Sequence, residues 1–160
     1  GFSGGALETG HIVIDFNGPK CSCGRHGCVE AFASVPAMLE TYNTISGDNL
    51  SNIVEFREKL DKKNPYALKV IEKEAFYISV LISNLVNTLN PSHVIIGGEI
   101  EILEDYLMPI IIEKVKRDCL ITNRSTLEIK GSILKDIAAS YGAAVLAMEE
   151  IIETSPFEEN

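Results

Sequence analysis

Glu8-Thr9-Gly10-His11, followed by Pro19-Lys20-Cys21-Ser22-Cys23-Gly24-Arg25-His26-Gly27-Cys28-Val29-Glu30, is the stretch around which the rest of the chain is arranged. Three of the four cysteines crowd into one glycine-punctuated loop, with a histidine ten residues before the first. The spacing H-x9-C-x-C-x4-C offers three thiolates and one imidazole, a complete tetrahedral set for a structural zinc ion. Zn²⁺ is borderline soft and has no d-electron geometric preference, so thiolate and imidazole hold it without redox side reactions. Gly24 and Gly27 let the backbone turn tightly enough for Cys23 and Cys28 to converge. The competing arrangement is a disulfide, with Cys119 as a candidate partner. An odd cluster of three, containing a C-x-C too close for easy mutual bridging, argues against it. Cys119 reads instead as a small buried hydrophobe near the end of an amphipathic helix.

On either side of the loop the pattern is mainly helical. Ser3-Gly4-Gly5 makes a flexible approach, and His11-Ile12-Val13-Ile14-Asp15 reads as a short strand closed by the turn Asn17-Gly18-Pro19. After the loop, Glu30 to Ser34 opens a helix, and Pro36 suits the first turn of a second one running to about Tyr42. Residues 43–52 are loop, and Ile53 to Lys62 is a short surface helix. From Tyr66 to Leu89, Leu68, Ile71, Ala75, Ile78, Ile82, Leu85 and Leu89 recur at steps of three and four, which predicts the longest helix, ended by Pro91. Val94-Ile95-Ile96 suits an internal strand closed by Gly97-Gly98. A helix from about Ile102 to Cys119 is expected to kink or break at Pro109. Leu127 to Lys130 alternates like an edge strand, and a final helix starts near Ser132 with Ile137, Tyr141, Met148 and Ile152 along one stripe. The polar tail from Thr154 is expected to fray.

Composition narrows the function classes. The 160 residues fit one domain, and 46% hydrophobic with 23% charged residues is ordinary for a globular chain. A net charge of -9 argues against a nucleic-acid surface in this segment, because phosphate binding needs clustered Lys and Arg. The most apolar window, Ala75 to Leu89, is interrupted by Ser79, Ser83, Asn84 and Asn87 and is shorter than the ~20 apolar residues of a membrane-spanning helix. Without a transit or signal pattern, a cytoplasmic location and no membrane partner are expected.

Glu-x-Gly-His followed by C-x-C-G-x-x-G-C-x-E resembles the ROK family (repressors, open reading frames and sugar kinases). Asn90-Pro91-Ser92-His93-Val94-Ile95-Ile96-Gly97-Gly98-Glu99 looks like that family's strand-and-glycine motif, and Ser132 to Ala147, with Tyr141-Gly142-Ala143-Ala144, looks like its closing helix. The resemblance implies an α/β fold: the C-terminal half of an actin-like, ribonuclease-H-like architecture of the sugar-kinase type, helix-rich with a small sheet and a zinc loop. Residues 1–160 are then one domain, with the zinc loop at 11–28, belonging to a longer protein. It implies that Glu8, His11 and Glu30 contact a monosaccharide or sugar derivative, that His11, Cys21, Cys23 and Cys28 hold zinc, and that the protein is a homodimer. His11 would serve both purposes, one ring nitrogen on the metal and the other facing the ligand. Taken alone, Glu8 and Glu30 read equally well as solvated or helix-start acids.

Two functional classes share this part of the family. ROK kinases place their catalytic Asp and first phosphate loop before such a segment, so no catalytic residue is assigned here. After Gly97-Gly98 the kinases often carry a third Gly beside the nucleotide, whereas Glu99 would repel phosphate. That favours the effector-binding and dimerisation half of a transcriptional regulator, with DNA contacted only through a separate N-terminal domain. The alternatives are the C-terminal half of an ATP-dependent sugar kinase and a zinc-stapled oligomerisation module. Leu7 and Thr9 depart from the family's usual Gly and aliphatic residue beside the proposed contacts.

Overall fold

Ser34, Asn52 and Asn64 start the first three helices, because each sets a side-chain oxygen over amides that have no carbonyl partner one turn back. Ser34 Oγ accepts from Ala37 N at 3.3 Å at the head of α1 (Val35–Ser46). Asn52 accepts from Glu55 N at 3.0 Å at the head of α2 (Ile53–Asp61). Asn64 accepts from Tyr66 N and Ala67 N at the head of α3 (Pro65–Leu89), where Pro65 takes the first helical position. The structure, a computed structural model, describes residue 2 and residues 8–120 and 126–154. The expectations for Ser3-Gly4-Gly5, for Leu7 and for the tail after Thr154 lie outside the described residues.

Strand β1 (His93–Ile96) leads through a 3₁₀ turn (Glu99–Leu103) into α4 (Glu104–Asp118). Strand β2 (Glu128–Gly131) then lies parallel to β1, with His93 opposite Glu128 and Ile96 opposite Gly131. A parallel pair needs a crossover, and α4 supplies it. Helix α5 (Ala138–Thr154) closes the described chain.

The core lies where α1, α2, α3 and α4 meet. Tyr42, Phe56, Leu60, Leu103, Leu107, Ile111 and Val115 are fully or almost fully buried there. Tyr42 packs edge-on to Phe56 with ring centroids 5.5 Å apart, and its hydroxyl donates to Asp48 at 2.8 Å. The most extensive helix interface is α3 on α4. The buried line of α3 keeps Ile71, Ala75 and Ile82 of the expected stripe and adds Ala67, Ser79 and Val86, while Leu68 and Leu89 are exposed.

Three further expectations are corrected. Of the kink or break expected at Pro109, the break is absent: α4 runs as one helix through it, after an irregular 3₁₀ turn. The expected stripe of the final helix is exposed at Ile137, in the 3₁₀ turn before α5, and at Tyr141, Met148 and Ile152 within it, and none of these residues belongs to the core cluster. Ile95 is 68% exposed in a sheet that has two strands among the described residues. No helix among the described residues is long and apolar enough to cross a membrane.

Glu74 is the misfit in this core, 3% exposed and with burial pushing its carboxyl up to about 8 from an ordinary 4.5. The folded chain keeps this acid protonated at pH values where the unfolded chain ionises it. Stability is therefore lost as pH rises from about 4.5 to about 8. Glu74→Gln is expected to change little near pH 4.5 and to stabilise by up to about 5 kcal/mol above pH 8. Urea unfolding at pH 5 and pH 8.5 measures it, and an equal effect at both pH values would contradict the assignment.

Candidate metal centre

The loop is built from a few backbone hydrogen bonds rather than from regular elements. Thr9–His11 forms one 3₁₀ turn, with His11 N donating to Glu8 O at 3.0 Å. The expected strand over residues 11–15 reduces to a single antiparallel bridge, Val13 with Cys28. The reason is Gly27, whose carbonyl accepts from both Ile14 N and Asp15 N and so bends that segment around itself. Lys20 bridges His26, and Cys21 N donates to Arg25 O at 2.8 Å, closing a tight tongue between them. The expected helix from Glu30 to Ser34 is one 3₁₀ turn, Val29–Ala31, before α1 begins. Phe32 stacks on Tyr77 of α3 at 4.4 Å and ties the loop to the helical core.

Gly27 adopts φ +71° and Gly24 φ +87°, the left-handed region that favours glycine. The folded tongue brings His11, Cys21, Cys23 and Cys28 together, with all four ligand atoms within 4.8 Å of one another. Cys21 Sγ is 3.5 Å from His11 Nδ1, and Cys23 Sγ is 3.7 Å from Cys28 Sγ. A tetrahedral ion with metal–sulfur bonds of about 2.3 Å and metal–nitrogen bonds of about 2.0 Å separates two sulfurs by roughly 3.8 Å, and a sulfur from a nitrogen by roughly 3.5 Å. These side chains therefore fit one four-coordinate metal ion. None of the cysteines is bridged, and Cys119 is buried away from the loop, in the helical core.

Electrostatics favour the thiolate form on one side of the cluster. The backbone N–H of Arg25, then its guanidinium, pull the Cys23 thiol down to about 6. Burial pushes Cys28 up to about 11, so metal binding must displace its proton. Arg25 also donates to His11 O at 3.0 Å, fixing the turn that carries the imidazole.

Glu30 stands at the edge of the cluster. Its Oε1 accepts from Ser22 Oγ at 2.6 Å and lies 3.7 Å from Cys21 Sγ, while Oε2 lies 3.9 Å from His11 Nε2. The Ser22 hydroxyl is the main influence holding the Glu30 carboxyl below its usual range. His11 thus turns Nδ1 to the cysteines and Nε2 to Glu30. Glu8 is exposed and borders, with His11 and Arg25, a cleft of about 910 Å³ whose far wall is Asn84 and Thr88 of α3. Glu30 approaches His11 from the Cys21 side and does not line that cleft.

A loop holding a Cys3His set, on an α/β frame with a parallel strand pair, defines a class, and comparison with known proteins gives the family. The chain belongs to the ROK family, which it matches over residues 1–150. It is 36% identical over 104 residues to the xylose repressor of Bacillus subtilis (strain 168), covering 62% of this chain and 26% of that protein. It is 30% identical over 164 residues to the glucokinase of Thermotoga maritima, covering 94% of this chain and 52% of that protein. Among solved structures, the ROK hexokinase from Thermus thermophilus superposes with a TM-score of 0.80 at 25% identity, over 92% of this chain and 50% of that one. The chain thus spans about a quarter to a half of the length of these relatives. The fold is helix-rich α/β, of the actin-like sugar-kinase type.

Sequence reading picked out the four candidate ligands but passed over Ser22 and Arg25. Neither belongs to a ligand spacing, and both act through contacts that only the folded tongue creates. His26 and His93 are exposed, with His26 Nδ1 3.2 Å from Gly18 O.

Proposed function

We propose that this chain is the sugar-effector-binding and dimerisation part of a ROK-type transcriptional regulator, with a structural zinc ion held by His11, Cys21, Cys23 and Cys28. The ion supplies a fixed tetrahedral node that the loop's own backbone lacks. The imidazole then presents Nε2–H as a donor and Glu30 Oε2 as an acceptor, 3.9 Å apart. That gap is too long for a direct hydrogen bond and suits a hydroxyl that accepts from one and donates to the other at about 2.8 Å each. Glu8 borders the cleft on the other side of His11, which Glu30 does not line, so it would serve only a ligand long enough to reach past the imidazole. A sugar is the ligand class that offers vicinal hydroxyls to such a set.

The observation that favours a regulator over a kinase lies at Gly98. Its amide is of the kind that cradles phosphate, yet here it donates to Glu101 Oε1 at 3.0 Å, beside the exposed Glu99. A carboxylate in that place repels a nucleotide's phosphates. Sugar binding would act on DNA affinity by favouring one domain arrangement, with DNA contacted through another part of the protein.

Isothermal titration of the zinc-loaded protein with D-xylose and D-glucose tests the pocket. Glu30→Gln is expected to weaken the better ligand by about 10- to 100-fold with zinc content unchanged, because a charged acceptor is lost. Equal binding by both chains, or none by either, removes the sugar assignment. ATP-dependent phosphorylation of either sugar by the full-length protein would transfer the chain to the kinase class.

A further inference from the structure

Ser22 lies between two metal ligands and is not itself one. Any residue type satisfies the spacing at that position, since the ligand set needs only Cys21 and Cys23 on either side. Yet its hydroxyl makes a hydrogen bond to Glu30 Oε1, at 2.6 Å. We propose that Ser22 is a positioning residue: it anchors the Glu30 carboxylate at the rim of the metal cluster and so aims Oε2 at His11 Nε2, where a ligand hydroxyl is received. The second half of this statement rests on the sugar-binding reading given above.

The need for an anchor follows from the groups around Oε1. Glu30 Oε1 has two polar side-chain neighbours, Ser22 Oγ and, at 3.7 Å, Cys21 Sγ. As a thiol, Cys21 is a weak donor to that oxygen. Held on a metal ion, its sulfur has no proton to donate to that oxygen. Among the described residues Ser22 is then the one side-chain donor left to Oε1, and a hydroxyl–carboxylate bond is of the stronger, charge-assisted kind.

Geometry makes Ser22 suitable for this. Its backbone is held on one side by Cys21 N donating to Arg25 O, and on the other by the tight turn that closes with Gly24 N donating to Cys21 O. A single rotatable bond therefore places the hydroxyl. Glu30 is less constrained: it occupies the middle of a three-residue 3₁₀ turn, and its side chain is 40% exposed. Without Ser22, and with Cys21 held on a metal ion, no side-chain donor among the described residues lies within hydrogen-bond distance of the carboxylate, His11 Nε2 being 3.9 Å from Oε2.

The test uses the zinc-loaded chain with Ser22→Ala and Ser22→Thr, and reads three quantities: zinc per chain, affinity for D-xylose and D-glucose, and the Glu30 rotamer in zinc-loaded crystals. Ser22→Ala is expected to keep about one zinc per chain, to weaken the better sugar about tenfold, and to show Glu30 swung away from Cys21. Ser22→Thr, which keeps the hydroxyl, is expected to restore affinity to within about threefold. Glu30 unmoved in crystals of the Ser22→Ala chain overturns the anchoring role. A displaced Glu30 with unchanged sugar affinity overturns its connection to the ligand. If the unsubstituted chain binds neither sugar, the sugar reading fails by itself, and the crystal comparison still decides whether Ser22 holds Glu30.

Discussion

Removing zinc from the loaded protein with a chelator is expected to disorder residues 12–29 and to abolish sugar binding, while helices α1 to α4 stay folded. Cys21, Cys28 and Val29 are buried, but none of them belongs to the main apolar cluster, which begins at Met38. The tongue therefore has almost no hydrophobic core of its own, and its backbone bonds are few. Structural zinc contributes on the order of 10 kcal/mol to small domains that cannot fold without it. Loss of that contribution exceeds what a handful of turn hydrogen bonds supplies at about 1 kcal/mol each. Amide hydrogen exchange is the measurement: protection should vanish in the tongue and persist at Val70, Ile71, Ile111 and Val115. Full protection of Cys21 and Gly27 amides in the metal-free protein would mean that the loop stands without its ion.

The second large effect is expected from Gly27→Ala. A Cβ at this position would lie 1.5 Å from Asp15 O and 2.5 Å from Asp15 C, both backbone atoms that no rotamer change can move. The left-handed φ adds roughly 1–2 kcal/mol for any L-residue. Relief requires the 12–15 segment to separate from the tongue, which breaks the bonds from Ile14 and Asp15 to the Gly27 carbonyl and displaces the adjacent ligand Cys28. Zinc content is expected to fall well below one per chain, with the helical circular dichroism signal retained. Gly24→Ala is the control: it shares the positive φ, but nothing lies within 4 Å of the added Cβ. Metal analysis of the two variants side by side separates steric from conformational cost, and equal zinc loss in both would show that φ alone matters.

Much of the frame was readable without coordinates. The short helix from Ile53 matches α2, and the three-four recurrence from Tyr66 to Leu89 matches α3. The errors share a cause. Periodicity weights large aliphatic side chains, so it placed Leu68 and Leu89 on the packed face of α3, whereas they are exposed and the smaller Ala67 and Ser79 are buried. Pro109 was given its interior-helix penalty, but the flanking turns of α4 pack in the core through Leu107 and Ile111 and carry the helix across it. The β-branched run after His11 suggested a strand, but strand pairing is a property of two segments, and the partner here offers one bridge.

By itself the sequence determined which side chains could serve as ligands, because donor chemistry and loop length are local: one imidazole and three thiols, separated by glycines, admit few alternatives. It also placed the starts of α1, α2 and α3 to within a residue or so, whereas the final helix begins at Ala138 and not near Ser132. Tertiary structure alone decided which nitrogen of His11 faces the sulfurs and which faces Glu30, that Ser22 reaches that carboxylate, and that Gly27 abuts Asp15. Those relations join residues eight to nineteen positions apart, and their distances are fixed only when the tongue folds back on the turn before it.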